Sequence, residues 1–227
     1  MTQSVLRCGA VLFDLDGVLV DSEQVVVRTW NRWAARHRLD IPDLVRRAHG
    51  RRSIETVREV APQLDPMAEA RWLEGIESSD AEGLGRLPGA AELFQAIPAD
   101  RRAVVTSGGR ALAEFRLASV GFPAPRVLIS ADDVQRGKPA PDGYLLAAER
   151  LGVAPAECIV IEDTPPGIAA GRAAGATVIA VATTFPAPEL DRANVVVPSL
   201  AAVTGTLRGA ELHVVINGAL ANGRRHA

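Results

Sequence analysis

The chain contains little that would place it in an oxidising compartment or a membrane. Of its 227 residues only two are cysteines, Cys8 and Cys158, each within an apolar run, so we expect reduced core thiols and no disulfide framework. No apolar run approaches the roughly 18 residues of a membrane span. Asp14 and Asp16 interrupt the first apolar run before it could serve as a secretory signal. We therefore expect a cytoplasmic protein with no membrane partner.

Excess charge of either sign is also absent. The formal net charge is −2, which gives no broad attraction to nucleic acid or acidic lipid, so we expect no nucleic-acid partner. Lysine is nearly missing: Lys138 is the single lysine among the 25 residues counted as lysine or arginine. A hydrophobic share of 48% with 23% charged residues is typical of a folded globular chain. An anionic ligand would therefore need a local pocket.

Short apolar runs alternate with helical patterns along most of the chain. Runs typical of buried strands lie at 8–13, 103–106, 127–129, 158–161 and 177–181. Helix start signals follow, and the predicted helices cover 89–96, 110–120, 141–151 and 166–174. This alternation predicts βαβ units and an α/β fold with a Rossmann-like, mostly parallel sheet.

The strand signal disappears between about Val20 and Gly85. Helical patterns at 22–37, 53–60 and 66–79 replace it, which predicts a small all-helical domain inserted after the first strand. Such an insertion should overhang the carboxyl edge of the sheet as a mobile lid, with hinges near 18–20 and 83–88. The predicted organisation is a core of residues 1–19 and 86–208, a helical cap of residues 20–85, and a C-terminal segment 209–227 with an edge strand at 212–216 and a frayed end.

Two acidic pairs end predicted strands. Asp14 and Asp16 follow the first run and precede Gly17, and Glu162 and Asp163 close the run CIVIED. Because the carboxyl ends of parallel strands share one edge, these acids can converge, and a hard divalent metal would relieve their repulsion. A solvated D-x-D-G turn and simple helix capping are the alternatives when each pair is taken alone.

Other strand ends carry groups suited to a phosphate. Thr106 and Ser107 precede two glycines and a helix start, so hydroxyls, glycine N–H groups and a helix N-terminus could bind an anion there. Lys138 lies between Gly137 and Pro139, where a compact ammonium in place of an arginine fork suggests a specific site. An ordinary helix-start loop and an exposed loop cation remain the alternatives.

The joint order of these motifs resembles a known family. DLDG, VVTS, GKPAPD and IEDTPPGIAAGRAAGA are similar to the four motifs of the haloacid dehalogenase superfamily, and the helical insertion resembles the small cap of its first subfamily. The resemblance runs from Gly9 to about Val203. Within the β-phosphoglucomutase-like branch, the stretches at 49–62, 82–90 and 103–117 resemble hexitol-phosphate, 2-deoxyglucose-6-phosphate and glycerol-3-phosphate phosphatases.

The resemblance implies a magnesium-dependent phosphatase for sugar or polyol phosphates. Asp14 would be the nucleophile that forms an aspartyl-phosphate, and Asp16 would be the general acid and base. Mg²⁺ would be held by Asp14, the Asp16 backbone carbonyl and Asp163, with Glu162 in support. Substrate would contact Thr106, Ser107, Lys138, His49, Arg51 and Arg52. The partner would be a small phosphorylated metabolite, and the chain a monomer or weak dimer.

Three rival functions follow from the same residues. A sugar-phosphate mutase of the same branch usually carries a cap arginine at the position of Ser53, but the adjacent Arg51 and Arg52 leave that alternative open. A receiver-like signalling domain needs no lid, so the helical insertion argues against it. A dehalogenase would need neither the Asp16 acid nor the metal cluster.

Overall fold

The structure, a computed structural model, describes residues 3–220 of the chain. Eleven strands and eight α-helices lie in that range. The strands are β1 (Gln3–Cys8), β2 (Ala10–Phe13), β3 (Val20–Asp21), β4 (Gly85–Arg86), β5 (Arg102–Val105), β6 (Leu128–Ile129), β7 (Cys158–Glu162), β8 (Thr177–Val181), β9 (Val195–Val197), β10 (Val203–Arg208) and β11 (Glu211–Asn217). The helices are α1 (Glu23–His37), α2 (Leu44–Ala48), α3 (Ser53–Val60), α4 (Pro66–Glu77), α5 (Ala90–Ala96), α6 (Arg110–Ser119), α7 (Asp142–Leu151) and α8 (Pro165–Ala173).

A six-stranded parallel sheet forms the centre, in the order β6-β5-β2-β7-β8-β9. Strand β2 is buried on both faces: Ala10 and Leu12 belong to one hydrophobic cluster, and Val11 and Phe13 to the other. Continuous apolar runs are typical of strands covered by helices on both sides. The predicted α/β fold with a helical insertion after the first sheet strand is confirmed.

The first apolar run does not form one strand. The run is interrupted at Gly9, where an added Cβ would lie 2.6 Å from the Val153 side chain. Strand β1, which ends just before Gly9, is not part of the parallel sheet. Strand β1 instead pairs with β11, which pairs with β10 in a separate antiparallel sheet. The strand predicted at 212–216 is therefore the central strand of three, and the prediction that it is an edge strand is wrong. The predicted frayed end at 222–227 lies outside the described residues.

Helices α1 to α4 form a cluster of their own between β3 and β4. Their apolar faces bury Trp30, Trp33, Val57 and Leu73 together. The two chain connections to this cluster run side by side, because Val20 pairs with Arg86 and Asp21 with Gly85 in a short antiparallel ribbon. Within residues 3–220, no helix combines the length and the hydropathy needed to cross a bilayer.

Candidate active site

Four neighbouring strands deliver polar side chains to one edge of the parallel sheet. Asp14 directly follows β2, Thr106 follows β5, Glu162 ends β7, and Lys138 lies in the loop that follows β6. These strands are adjacent in the order β6-β5-β2-β7, so their carboxyl ends bring residues distant in sequence to one place. All four side chains are buried.

Lys138 is the cation at the centre of this edge. Its Nζ donates to Asp14 Oδ1, to Glu162 Oε1 at 2.6 Å and to the Val105 carbonyl at 3.3 Å. These three acceptors match the three N–H donors of an ammonium. Burial disfavours the cation, but the carboxylates of Asp14 and Glu162 outweigh that effect and raise the pKa of Lys138. Lys138 therefore keeps its positive charge beside the Asp14 carboxyl group.

Glu162 positions Lys138 and is already saturated with donors. Besides Lys138, its Oε1 accepts from the Tyr144 hydroxyl at 2.7 Å. Its Oε2 accepts from the amides of Asp163 and Thr164 and from the Thr164 hydroxyl, at 3.0 to 3.2 Å. A carboxylate with both oxygens engaged in this way has little capacity left for a metal ion. We therefore assign Glu162 a supporting role rather than a direct contact with the ion.

Asp14, Glu162 and Asp163 form a buried acidic group whose oxygens lie within 4.8 Å of one another. Burial raises the pKa of Asp14 above its ordinary range, and Lys138 opposes that rise. Burial, and then repulsion from Glu162 and Asp14, also raises the pKa of Asp163. When all three carboxylates are ionised, the one lysine leaves two negative charges to be balanced.

A divalent cation fits this group. Asp163 is fully buried, and its Oδ1 has no hydrogen-bond partner among the described residues, although such orphans are rare in folded proteins. Gly17, at φ +75°, passes so close that an added Cβ would lie 1.9 Å from Asp163 Oδ2. Hard oxygen donors with an uncompensated double negative charge are the set that Mg²⁺ prefers. Asp14 and Asp163 are the side chains best placed to hold it.

Asp16 lies outside this acidic group. Its Oδ1 is 2.8 Å from Arg116 NH1 and accepts from the Ser22 hydroxyl at 2.7 Å. The Asp16 side chain thus contacts Arg116 of α6 and Ser22 at the start of the helical insertion. Its predicted contribution to a metal would come from the backbone carbonyl alone, and that contribution stays a prediction.

The loop after β5 differs from its predicted use as an anion site. The amide of Gly108 donates to Thr106 Oγ1, that of Gly109 to Glu74 Oε1 and that of Arg110 to Asp132 Oδ2. The two glycine N–H groups and the first amide of α6 are thus satisfied by protein acceptors, so we do not assign these three to phosphate. Thr106 lines the cavity described below.

Ser107 joins the core to the helical insertion. Its hydroxyl donates to the Gly50 carbonyl at 3.0 Å. Gly50 has φ +74°, and an added Cβ there would lie 2.4 Å from Thr164 Oγ1. Because position 50 is a glycine, the loop that carries His49 and Arg51 can pack closely against the strand ends.

A cavity of about 210 Å³ lies between this loop and the strand ends. Asp14, Asp163 and Thr106 line its core side. Asp16, Ser22, Glu23, Trp30, His49, Arg51, Ser53, Glu77 and Arg116 are among its other lining residues. The volume of the cavity suits a small molecule. Most of the polar side chains that line it are acidic or uncharged.

The predicted cap residues divide into two groups. His49 lines the cavity, and burial lowers its pKa, so it offers a neutral imidazole near pH 7. Arg51 also lines the cavity, but its NH1 pairs with Glu59 at 2.5 Å. Arg52 does not line this cavity: it pairs with Glu55 and donates to the carbonyls of residues 134 and 135. The prediction that Arg52 faces substrate is not supported by this geometry.

Sequence reasoning missed several side chains that complete the site. Tyr144 holds Glu162, the Thr184 hydroxyl bonds to the Asp163 carboxylate, and Arg116 joins Asp16 to Glu77. Only Arg116 carried a signal in the sequence. It sits four residues after Leu112 on the buried face of α6, where an apolar residue would be expected.

Comparisons with known proteins agree with this architecture. The model of the haloacid dehalogenase-like hydrolase family matches residues 8–175. Hexitol phosphatase A of Escherichia coli (strain K12) is 43% identical over 209 residues, which cover 88% of this chain and 95% of that protein. Glycerol-1-phosphate phosphohydrolase 2 of Saccharomyces cerevisiae is 32% identical over 195 residues, covering 79% of this chain and 77% of the relative.

A crystal structure of β-phosphoglucomutase from Clostridium difficile superposes with a TM-score of 0.74. It is 23% identical, and the match covers 86% of this chain and 92% of that one. At that identity the likeness shows the shared fold. The family model, by contrast, spans the strand ends that carry Asp14, Thr106, Lys138 and Asp163. The chain belongs to the haloacid dehalogenase-like hydrolase family and is an enzyme.

Proposed function

We propose that this enzyme is a magnesium-dependent phosphatase that hydrolyses small sugar or polyol phosphates through an aspartyl-phosphate on Asp14. The observation that carries the proposal is the contact of Lys138 with Asp14 inside a buried acidic group that fits a divalent cation. The phosphatase names of the relatives, a hexitol and a glycerol phosphate enzyme among them, support the substrate class.

In the first half-reaction, Asp14 is the nucleophile. A carboxylate oxygen of Asp14 attacks phosphorus, the bond from phosphorus to the substrate oxygen breaks, and the departing oxygen takes a proton from Asp16. Lys138 holds the Asp14 carboxylate in place and supplies fixed positive charge beside the transferring phosphoryl group. Thr106, at the next strand end, offers its hydroxyl to a phosphoryl oxygen.

In the second half-reaction, water replaces the alcohol. Asp16, now ionised, takes a proton from the water as the water oxygen attacks phosphorus, and the bond from phosphorus to Asp14 breaks. Inorganic phosphate leaves, and both aspartates return to their starting states. Asp16 therefore acts once as acid and once as base.

The residues that would hold Mg²⁺ are Asp14, Asp163 and the backbone carbonyl of Asp16, with Glu162 behind them. Bound there, the ion neutralises negative charge that gathers on the phosphoryl group. It would also keep the Asp14 carboxylate ionised, because burial alone raises the pKa of that group. The orphaned Oδ1 of Asp163 would gain its missing partner.

We further propose that residues 20–85 act as a cap domain over a core of residues 1–19 and 86–208. We also propose that the enzyme acts in the cytoplasm. The cap side of the cavity contributes Glu23, His49 and Ser53, groups that hydrogen-bond to hydroxyls. Burial keeps His49 neutral near pH 7. A leaving alcohol rich in hydroxyl groups suits this lining.

The mutase alternative is disfavoured by the same lining. A mutase passes the phosphoryl group to a second hydroxyl and must therefore bind a sugar bisphosphate. The cavity carries Ser53 rather than an arginine at the cap position, Arg52 points into other contacts, and Arg51 is already paired with Glu59. A second phosphate would meet carboxylates such as Glu23 and Glu77 instead.

The proposal is tested by phosphate release from a panel of sugar, polyol and other small phosphate esters, with Mg²⁺, for the parent and for Asp14→Asn. We expect polyol and sugar phosphates to lead the panel and the variant to release no phosphate and trap no phosphoenzyme, because an amide is a poor nucleophile. Residual variant activity within about tenfold of the parent would mean direct attack by water. Conversion of a hexose 1-phosphate to its isomer without free phosphate would mean a mutase.

A further inference from the structure

Arg116 is a buried arginine that the proposed chemistry does not yet use. It lies on α6 of the core, and its side chain is 3% exposed. An arginine is rarely buried to this extent without a partner for its charge. Its position at the wall of the cavity, next to a proposed catalytic residue, makes its partners informative.

The guanidinium joins two carboxylates that come from different parts of the chain. NH1 lies 2.8 Å from Asp16 Oδ1, and NH2 donates to Glu77 Oε2 at 2.7 Å. Asp16 follows the first sheet strand, whereas Glu77 is the last residue of α4 in the helical insertion. Burial disfavours the charge on Arg116, but Asp16 and Glu77 raise its pKa, so the cation persists.

The contact leaves one oxygen of Asp16 available. Oδ1 forms an ion pair with Arg116 NH1 and accepts a hydrogen bond from the Ser22 hydroxyl. Oδ2 has no hydrogen bond to any residue in 3–220. Two fixed donors on the same oxygen restrict rotation of the carboxylate. Oδ2 is thus the atom that can exchange a proton with the leaving alcohol or with water.

We propose that Arg116 is a positioning residue that holds Asp16 in its proton-transfer orientation only while Glu77 of the helical insertion is docked against it. The inference rests on the proposed function, because it takes Asp16 as the general acid and base. Glu77 matters in this arrangement since it fixes the second arm of a fork that is rigid and planar. Correct placement of Asp16 is thereby linked to closure of the cavity.

A purely structural role would predict a different outcome from the positioning role. If Arg116 only stabilises the fold, its loss lowers the amount of active enzyme and affects all substrates equally. If it positions Asp16, the loss depends on how much the leaving oxygen needs a proton. Alkyl phosphates need the proton, whereas p-nitrophenolate departs without one.

The test compares Arg116→Met with the parent on a polyol phosphate and on p-nitrophenyl phosphate. We expect kcat/KM for the polyol phosphate to fall about 10²-fold, the cost of a misplaced general acid. For p-nitrophenyl phosphate, kcat/KM reports only the first half-reaction and should stay within about threefold. Its kcat should fall, with a burst of nearly one equivalent of nitrophenolate, because water attack still needs Asp16.

Further variants keep the test decisive if Arg116→Met folds poorly. Arg116→Lys should recover part of the lost activity, since an ammonium can reach one carboxylate but not both in a fixed fork. Glu77→Gln should repeat the pattern of Arg116→Met with a smaller loss. Arg126→Met, at an exposed position away from the cavity, is the matched control and should behave as the parent.

Equal losses of kcat/KM on both substrates, or no loss in a folded Arg116 variant, would overturn the inference. A parent enzyme that ignores polyol phosphates would instead overturn the proposed substrate class. The inference would still be decided in that case by aryl phosphates with phenols of graded acidity. A steeper dependence of kcat/KM on leaving-group acidity in Arg116→Met supports it, and an unchanged dependence refutes it.

Discussion

Replacing Lys138 with methionine removes the one ammonium that faces the buried acidic group. The variant keeps the volume and the flexible stem of the side chain but deletes three donated contacts, to Asp14, Glu162 and the Val105 carbonyl. Both carboxylates are buried in the folded protein, so solvent cannot replace the lost ammonium. We expect a large loss of stability together with a loss of activity.

The size of the stability loss follows from burial. Breaking a buried ion pair by removing one partner typically costs about 3–5 kcal/mol, whereas an exposed pair contributes about 0–1 kcal/mol. For a chain of this size, each kcal/mol lowers Tm by roughly 2–4 °C, so we expect a decrease of roughly 10 °C in EDTA. Mg²⁺ should raise the Tm of the variant more than that of the parent, because the ion replaces the missing positive charge.

Urea denaturation with EDTA or with Mg²⁺ measures both effects, and Tyr144→Phe is the comparator. That variant removes only the hydroxyl donated to Glu162, a hydrogen bond to a charged group worth about 1.5–3 kcal/mol. The methionine variant should therefore be the less stable of the two. A loss below about 1 kcal/mol for Lys138→Met would refute the reasoning that this ion pair is desolvated. In the activity assay, all phosphate esters should lose rate together, since each presents the same phosphoryl group.

Three further outcomes are expected. EDTA should silence the enzyme reversibly and excess Ca²⁺ should inhibit it, because the larger, looser calcium shell would misplace the nucleophile; full activity in exhaustively chelated protein would remove the metal from the mechanism. In urea titrations, the free energy of unfolding of the metal-free protein should fall from about pH 5 to about pH 8. Burial raises the pKa values of Asp14 and Asp163, so over that range the folded state binds protons that the unfolded chain releases. A rise in the free energy of unfolding over that range would contradict these shifts. His49→Ala should change kcat/KM unequally among sugar and polyol phosphates and leave p-nitrophenyl phosphate less affected, whereas a uniform loss would make the cap a mere cover.

Five of the six strands of the parallel sheet could be predicted, because each of them carries its own apolar signal. The runs that end at Phe13, Val105 and Ile161 are fully apolar, and strands buried on both faces need that composition wherever they pair. The short strand β9 and the antiparallel sheet could not be predicted in the same way. Strand β1 is largely exposed, and its pairing of Leu6 with Val214 joins opposite ends of the chain. Local periodicity does not contain such pairings.

The site divides along the same line. Asp14, Thr106 and Asp163 stand at strand ends, and Lys138 lies in the loop that follows one, and the geometry of a parallel sheet brings these positions together without further information. The contacts of Arg52 with the loop at 134 and 135, and of Arg116 with Glu77, depend on how the helical insertion docks. Sequence spacing predicts the residues that a fold must gather, but not those that two packed units present to each other.

The acidic group explains why chemistry and recognition are separated in this fold. The three carboxylates of this group, Asp14 among them, are tolerated because Glu162 is saturated by Lys138, Tyr144 and Thr164. Asp163 keeps one oxygen that no donor among residues 3–220 contacts. This unpaired oxygen can bind a cation, and its role would be the same whichever alcohol the substrate carries. In the proposed mechanism the alcohol instead meets side chains of the helical insertion that line the cavity, such as His49 and Ser53. We therefore expect substitutions in the insertion to change the preferred substrate while the strand ends, and the proposed phosphoryl transfer, stay as they are.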